Sequence, residues 1–155
     1  MQLGLYRNGV GAVIINDQRH ILTGEKMGAL GFWQLPQGGV RHRESYEEAL
    51  YRELEEEIGT NRVVIVKNTS KMMSYLLPKD PVSIAQIGGN NNYIGQRQLW
   101  FLCRFIGDLD DINITTQCQE FCSYRWNKLD DIVKSAPDFK KELYSNLLQE
   151  FSDYL

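Results

Sequence analysis

Apolar positions in this chain form short continuous runs that are separated by polar turns. Residues 10–15 form an apolar run typical of a buried strand, and Asn16 and Asp17 predict a turn. Residues 21–23 then predict a strand that pairs back as a hairpin. Runs rich in β-branched and aromatic residues predict three further strands, at 63–66, 98–105 and 123–126.

One segment between these strands has the period of an α-helix. Ser45 followed by Glu48 has the pattern of a capping box, which predicts that a helix begins there. Gly59 predicts its end, because glycine tolerates the left-handed conformation that follows a last helical turn. The helix would place one apolar stripe on a core, formed by Leu50, Leu54 and Ile58.

A second helical pattern covers residues 139–154, with its apolar side at Leu143, Leu147, Leu148 and Phe151. Residues 78–93 are rich in Pro, Gly and Asn and predict a mobile excursion. Strands mixed with helices in this order predict a mixed sheet packed between helices.

The first helix also has an acidic stripe beside its apolar stripe. Glu53, Glu56 and Glu57 lie at i, i+3 and i+4, whereas Glu55 points away from them. Crowded carboxylates repel one another unless a cation gathers them, and Mg²⁺ is a hard cation that prefers oxygen ligands. The alternative is a solvated acidic helix face that Arg52 stabilises.

The residues around this helix follow a fixed spacing. A glycine is followed after five residues by a glutamate, and after seven more by the pattern Arg-Glu-aliphatic-any-Glu-Glu-any-Gly. The positions are Gly38, Glu44, Arg52, Glu53, Leu54, Glu56, Glu57 and Gly59. This pattern resembles the Nudix box, the loop–helix–loop signature of the Nudix hydrolases. Thr60 stands where that family usually has an aliphatic residue.

The resemblance extends over nearly the whole chain, to the branch of bacterial RNA 5′-pyrophosphohydrolases and dinucleoside polyphosphate hydrolases. The segments that carry it are 6–11, 75–79, 94–101, 120–121 and 139–144. Asn8 replaces the usual Pro, and Leu99 stands where the branch usually has a basic residue. The resemblance implies an α/β fold, the Nudix α/β/α sandwich with a mixed β-sheet, as a single domain over residues 1–155.

The resemblance also implies a Mg²⁺ site, with Mn²⁺ expected to substitute. It assigns as ligands the backbone carbonyl of Gly38 and the carboxylates of Glu53, Glu56 and Glu57. Glu120 matches the family's distal glutamate, which reaches the metal or acts as the base. The general base is then Glu56 or Glu120, and the catalytic residues are Glu53, Glu56 and Glu120. An ion pair behind these ligands holds the loop on the helix, and it is formed by Glu44 and Arg52.

Basic and aromatic positions shared with this branch are candidates for substrate binding. Arg7, Lys26 and Arg97 are expected to hold polyphosphate oxygens. Lys79 is a further candidate, as are Arg41 and Arg43 in the loop that enters the helix. Tyr75 and Phe139 are candidates for stacking on a base, with a role in the hydrophobic core as the alternative for each.

The bulk composition is that of an ordinary globular protein. The chain has 155 residues and a net charge of −3, which does not suggest a protein that coats a polyanion. An RNA end needs only a few local cations. No apolar run approaches the ~20 residues that span a bilayer, and no signal segment is recognised. We therefore expect a cytoplasmic monomer or weak homodimer without membrane contact, with reduced thiols at Cys103, Cys118 and Cys122.

Three functions fit these residues. The first is Mg²⁺-dependent hydrolysis of the 5′-triphosphate end of RNA, which would place the protein in mRNA decay. The second is the same chemistry on a nucleotide polyphosphate such as diadenosine tetraphosphate. The third is an inactive Nudix domain that binds a ligand, which the complete set of box glutamates disfavours.

Overall fold

The computed structural model describes residues 5–79 and 93–155. Its strands are β1 (Leu5–Ile15), β2 (Ile21–Lys26), β3 (Trp33–Gln34), β4 (Gln37–Gly39), β5 (Val63–Asn68), β6 (Met73–Leu76), β7 (Tyr93–Phe105) and β8 (Phe121–Asn127). Its α-helices are α1 (Tyr46–Ile58), α2 (Leu129–Lys134) and α3 (Asp138–Glu150), and short 3₁₀ turns cover Leu109–Asp111 and Ser152–Tyr154.

The described strands join in one mixed sheet around β1. The order β3-β2-β1-β7-β5 forms its main path, while β4 pairs with β1, β6 with β7 and β8 with β2. β1 and β7 run parallel, and the other pairs are antiparallel. Ile15 pairs with Ile21, which confirms the predicted hairpin. β7 is longer than the predicted strand and begins at Tyr93.

Each face of the sheet has its own hydrophobic core. Successive strand residues point to opposite faces, so Val10 and Ala12 pack in the core with α1, while Val13 packs in the core with α3. α1 contributes Leu50, Leu54 and Ile58, and α3 contributes Leu143, Tyr144 and Leu147. A sheet covered by helices on both faces is the α/β/α sandwich that the sequence predicts.

The two ends of α1 are those predicted. Ser45 Oγ accepts a hydrogen bond from the Glu48 N–H at 3.1 Å. Gly59 has φ of 72° and donates its N–H to the Glu55 carbonyl. A β-carbon at Gly59 would lie 2.5 Å from the carbonyl oxygen of Asn113, so the chain passes close to this helix end. The Asn113 N–H binds the Ile58 carbonyl at 2.8 Å, which attaches that loop to α1.

Some elements differ from the sequence-based expectation. The short strands β3, β4 and β6 were not predicted, because two to four residues are too few to show a period. Most of the excursion predicted at 78–93 lies outside the described residues. α3 ends at Glu150, earlier than expected. Within the described residues, no helix has the length and hydropathy needed to cross a membrane.

Candidate active site

A cavity of about 1080 Å³ lies beside the sheet, with lining residues on β1, β2, β3, β4, β6 and β7. The box loop, the helix α1, the loop after β2 and the start of α3 contribute to its walls. Ten residues predicted for the site line it, namely Arg7, Lys26, Gly38, Arg41, Arg52, Glu53, Glu56, Tyr75, Glu120 and Phe139. The fold therefore brings together residues from opposite ends of the sequence.

Two residues of the acidic stripe on α1, Glu53 and Glu56, line this cavity, whereas Glu57 is buried and lies outside the lining. Glu57 is 2% exposed, while Glu53 and Glu56 are half-buried. Glu55 points outward and accepts a hydrogen bond from Asn61 Nδ2 at 3.1 Å. Because the neighbouring stripe of α1 is buried in the core, the helix cannot turn its carboxylates towards solvent.

Gly38 allows the box loop to approach these carboxylates closely. A β-carbon at residue 38 would collide with the carboxylate of Glu53. The adjacent Gln37 N–H donates to Glu57 Oε2 at 3.2 Å. A side chain at residue 38 would displace the Glu53 carboxylate, so glycine lets the loop backbone lie beside Glu53.

Arg52 holds the loop on the helix. Its Nε donates to Glu44 Oε2 at 2.7 Å and its Nη2 to Glu44 Oε1 at 2.8 Å, which is a bidentate pair. The same Nη2 donates to the Gly39 carbonyl at 2.7 Å, and Nη1 donates to Glu53 Oε1 at 2.8 Å. The hydrogen bond from Arg52 lowers the pKa of Glu44 to about 2. The expected loop-holding pair is therefore present in the structure.

Crowding and burial shift the pKa values of the deeper carboxyls upward. Burial raises the pKa of Glu57 well above its ordinary value, and the negative charges of Glu120 and Glu53 raise it further. Burial also raises the pKa of Glu53, which the hydrogen bond from Arg52 opposes. A cation bound beside these two carboxyls would stabilise their ionised forms, because it would offset both the burial and the repulsion between the carboxylates.

The chemistry of this set fits a divalent metal ion. Four carboxylates and a backbone carbonyl are oxygen donors, as Mg²⁺ and Mn²⁺ prefer. Over residues 5–79 and 93–155, no three acidic, His or Cys side chains form a ready coordination cluster. Arginines hold two of the carboxylates, since Arg52 binds Glu53 and Glu56, and Arg41 Nη2 binds Glu56 Oε1 at 3.2 Å.

Glu120 reaches the site from a loop that is attached at three points. Its carbonyl accepts a hydrogen bond from the Met27 N–H at 2.8 Å. Upstream, Thr116 Oγ1 donates to the Glu56 carbonyl at 2.5 Å, and Asn113 binds Ile58. The loop thereby supplies two hydrogen-bond donors to carbonyls in the last turn of α1, and Glu120 lies next to the Glu57 carboxyl.

The predicted cations separate into two groups. Arg7, Lys26 and Arg41 line the cavity, and the Arg7 guanidinium packs on the backbone of Gly39. Arg97 and Lys79 are exposed and do not line the cavity. Gln96 lines the cavity, so strand alternation directs Arg97 to the other side of β7. The exposed Arg43, with φ of 64°, also lies outside the lining.

The two predicted aromatics belong partly to the core. Tyr75 is 8% exposed, and its hydroxyl donates to Gln37 Oε1 at 3.2 Å. Phe139 is half-buried, with its ring centroid 6.0 Å from that of Tyr75. Both rings also line the cavity. A core role and a substrate contact are therefore compatible at these positions.

Sequence reasoning missed Lys140. Its ammonium is buried, lines the cavity and donates to Gln34 Oε1 at 2.6 Å. Burial lowers its pKa to about 7, and the positive charge of Lys26 adds to this. A signal existed, because position 140 falls on the apolar stripe of α3 with Leu143, Tyr144 and Leu147. A lysine on such an apolar stripe is expected to have a buried ammonium group.

The geometry agrees with a match to a protein family. A family model described as the NUDIX domain matches residues 5–147. The chain belongs to the Nudix family. This confirms the predicted family, and the matched residues include the loop at Gly38 and the glutamates on α1.

Curated Nudix relatives match over nearly their whole length. An RNA pyrophosphohydrolase of Orientia tsutsugamushi (strain Boryong) is 40% identical, covering 97% of this chain and 92% of the relative. An RNA pyrophosphohydrolase of Wolbachia pipientis wMel is 40% identical, with coverage of 97% and 91%. That of Rickettsia rickettsii (strain Sheila Smith) is 38% identical, with coverage of 97% and 92%.

Solved structures with low sequence identity share the Nudix fold. The E. coli dihydroneopterin triphosphate pyrophosphohydrolase has a TM-score of 0.70 at 14% identity, covering 94% of this chain and 98% of that chain. A C. elegans Ap4A hydrolase binary complex has a TM-score of 0.66 at 16% identity, with coverage of 96% and 99%. These likenesses confirm the predicted fold class.

Proposed function

We propose that this protein is a metal-dependent pyrophosphohydrolase that acts on the 5′-triphosphate end of RNA. The observation that carries this proposal is that Glu53, Glu56 and Glu120 line one cavity with Gly38, and that Arg7 and Lys26 also line it. The buried Glu57 lies beside Glu120 and Glu53. The relatives named RNA pyrophosphohydrolase, which match along nearly their whole length, support RNA as the substrate.

The box residues would hold the metal, and the loop would keep them in place. Glu53, Glu56, Glu57 and Glu120, with the Gly38 carbonyl, are the proposed ligands. A bound divalent ion neutralises phosphate charge and lowers the pKa of water. Mg²⁺ is the proposed ion, with Mn²⁺ able to replace it.

The other residues of the chain bind the substrate and move a proton. Arg7 and Lys26 hold polyphosphate oxygens by charge-assisted hydrogen bonds. Glu56 or Glu120 accepts the proton of the attacking water, since both line the cavity. Arg52 holds the Glu53 carboxylate in position through a hydrogen bond of 2.8 Å, and it holds the Gly39 carbonyl through one of 2.7 Å.

A dinucleoside polyphosphate is the second candidate substrate. Pockets for small ligands have volumes up to ~1,000 Å³, and this cavity, at about 1080 Å³, is at the upper end of that range. Its size is compatible with a substrate larger than one nucleotide. The likeness to a solved Ap4A hydrolase supports the fold for this candidate.

An inactive ligand-binding domain is disfavoured. Every box glutamate is present, and the loop at Gly38 packs against Glu53. We also propose that the chain works as one domain over residues 1–155, as a monomer or weak homodimer in the cytoplasm.

Product release from triphosphorylated RNA and from diadenosine tetraphosphate, measured side by side, tests the proposal. Wild-type protein with Mg²⁺ should release pyrophosphate or phosphate from the RNA with the higher kcat/KM. A Glu57→Gln variant is the control for a contaminating hydrolase. Faster turnover of diadenosine tetraphosphate would favour the second candidate, and turnover of neither substrate would contradict both.

A further inference from the structure

A row of hydrogen-bonding side chains lies in the core on β7. Gln96, Gln98 and Trp100 alternate along this strand, so their side chains share one face of the sheet. Gln96 is 4% exposed, and Gln98 and Trp100 are 0% exposed. The register with β1 is continuous along this stretch, from Arg7 opposite Gln96 to Gly11 opposite Trp100. Buried amides are costly unless they are hydrogen-bonded, so the fold must supply partners for this row.

The indole of Trp100 fixes the direction of the row. Its Nε1–H donates to Gln98 Oε1 at 3.1 Å. Because an indole nitrogen can only donate, the Gln98 oxygen must face Trp100, and the Gln98 amide nitrogen must point the other way. The ring is held in place, since a β-carbon at Gly11 would lie 2.5 Å from three of its atoms. It also packs edge-on against Tyr144, with ring centroids 6.2 Å apart.

Gln98 passes this direction on to Gln37 in the box loop. Gln98 Nε2 donates to Gln37 Oε1 at 2.8 Å and to Gln96 Oε1 at 3.1 Å. The Tyr75 hydroxyl also donates to Gln37 Oε1, at 3.2 Å. Two donors therefore hold the Gln37 oxygen, and its amide nitrogen is the end that remains for another partner. Gln37 lines the cavity, and within the part of the chain that the structure describes its Nε2 has no protein acceptor.

The Gln37 amide belongs to the loop that carries the proposed metal ligands. Its backbone N–H donates to Glu57 Oε2 at 3.2 Å, and Gly38 follows it in the chain. Phosphate oxygens accept hydrogen bonds, so an amide nitrogen attracts them and an amide oxygen repels them. The two ends of a glutamine amide have nearly the same shape. Which end faces an anion is therefore decided by the hydrogen bonds behind the amide.

We propose that Trp100 and Gln98 are positioning residues that orient the Gln37 amide, so that its N–H donors face the bound polyphosphate. This rests on the proposed function, because a polyphosphate must occupy the cavity. Trp100 and Gln98 are buried, lie outside the cavity lining and act through Gln37. The alternative is a role in stability alone, in which the row only satisfies buried polar groups. That role predicts no effect on anion binding in a variant that folds.

Two variants interrupt the row at different points. Trp100→Phe keeps an aromatic ring and removes the indole donor, whereas Gln98→Met keeps the length of the side chain and removes the amide. Thr69→Val is the matched control. Thr69 Oγ1 accepts a hydrogen bond from the backbone N–H of Trp100 at 3.3 Å, so this change removes a buried hydrogen bond at the same residue and leaves the row of amides intact.

Binding of imidodiphosphate, a pyrophosphate analogue that resists hydrolysis, measures the effect without turnover. Calorimetric titration in the presence of Mg²⁺ should give a Kd about 10-fold or more above wild type for Trp100→Phe and Gln98→Met. This is the order of one hydrogen bond to a charged group. The Kd of Thr69→Val should stay within about twofold of wild type, even where its melting temperature falls as far as that of the other two.

A double-mutant cycle separates positioning from stability. In a Gln37→Met background, Trp100→Phe and Gln98→Met should raise the Kd no further, because the amide through which they act is absent. A full additional loss in that background would overturn the inference. Melting temperatures identify a variant that fails to fold, and the other variant then completes the cycle.

A measurement on wild type needs no variant of the row. In ¹⁵N NMR spectra, the side-chain NH₂ of Gln37, assigned by its absence in Gln37→Met, should shift on addition of imidodiphosphate with Mg²⁺. The NH₂ of Gln98 should shift much less, since it faces the core.

The outcomes distinguish this inference from the proposed function. An unchanged Kd in Trp100→Phe and Gln98→Met, an unchanged Gln37 resonance, or no binding of imidodiphosphate to wild type would overturn the inference. Triphosphorylated RNA turned over by the same wild-type protein would leave the hydrolase assignment intact. Wild type that binds imidodiphosphate but turns over neither RNA nor diadenosine tetraphosphate would overturn the proposed function alone.

Discussion

The Arg52 guanidinium donates two hydrogen bonds to the Glu44 carboxylate, of 2.7 and 2.8 Å. The two residues are eight positions apart, one in the loop and one in the helix. Because Arg52 also binds the Gly39 carbonyl and Glu53, this pair fixes the loop to the helix that carries the carboxylates. A planar guanidinium suits this role, since lysine cannot form the same fork.

The pair predicts a loss of stability in acid. Glu44 has its pKa lowered to about 2 from 4.5, so the unfolded state binds its proton first as pH falls. The contribution of Glu44 to the free energy of unfolding should be full above about pH 5 and should disappear between about pH 4.5 and 2. Urea unfolding of wild type and Glu44→Gln across this range measures it, with Glu47→Gln on the exposed helix face as the control. A difference that does not change with pH would contradict the ion pair.

Glu57→Gln should separate activity from folding. It retains size and helix propensity but removes a buried charge, so we expect kcat to fall by ~10²–10³-fold, the order of several kcal/mol of lost charge stabilisation. The melting temperature at pH 7 should stay the same or rise, because a buried carboxyl with a raised pKa is costly when ionised. Glu55→Gln, on the outward face of the same helix, is the matched control and should retain activity. Full activity of Glu57→Gln at saturating Mg²⁺ would contradict the site.

Adding Mg²⁺ or Mn²⁺ should stabilise the folded protein. The crowded carboxylates bind a cation only when folded, so metal at 100 times its Kd should add ~2.7 kcal/mol to the free energy of unfolding. Thermal melts with and without millimolar metal measure this as a rise of several degrees. Glu53→Gln and Glu57→Gln should show a smaller rise than Glu55→Gln. An unchanged wild-type melt would count against a preformed site.

Arg7 and Arg97 should differ in their effect on polyphosphate binding. Arg7 lines the cavity and Arg97 does not, so Arg7→Gln should raise KM for every polyphosphate substrate and Arg97→Gln should change it little. The loss for Arg7→Gln should be larger at low salt, because salt screens exposed charges. Kinetics at 50 and 300 mM salt make the comparison. Equal losses for the two variants would mean that Arg97 reaches the substrate, as the sequence suggested.

Because Lys140 is buried with a lowered pKa, we expect its contribution to the free energy of unfolding to rise with pH. Its pKa of about 7 in the folded protein is below the ordinary 10.5, so the unfolded state binds one more proton between these values. The stability of wild type relative to Lys140→Met should therefore rise by ~1 kcal/mol per pH unit from pH 7 to 10. Lys141→Met, at a half-exposed neighbour beside Asp138, is the matched control. Unfolding curves at pH 6, 8 and 10 decide the outcome.

The sequence by itself determined the features whose causes are local. The helical period put Glu53, Glu56 and Glu57 on one stripe beside Leu50 and Leu54, and the structure has that arrangement. Ser45 and Gly59 bound the helix as predicted, because capping depends on a few neighbouring residues. The box spacing likewise identified the family, because its residues lie on one loop and one helix.

Only the tertiary structure decided which distant residues meet in the cavity. Lys140 lines the cavity although the sequence analysis did not single it out, and Arg97 lies outside the lining although it was expected to hold polyphosphate oxygens. The Tyr6 ring meets Gly95 only because β1 runs beside β7. Such contacts depend on strand register and on which face of the sheet a residue occupies. One residue of register reverses that face, and no local pattern in this chain specifies the register between β1 and β7.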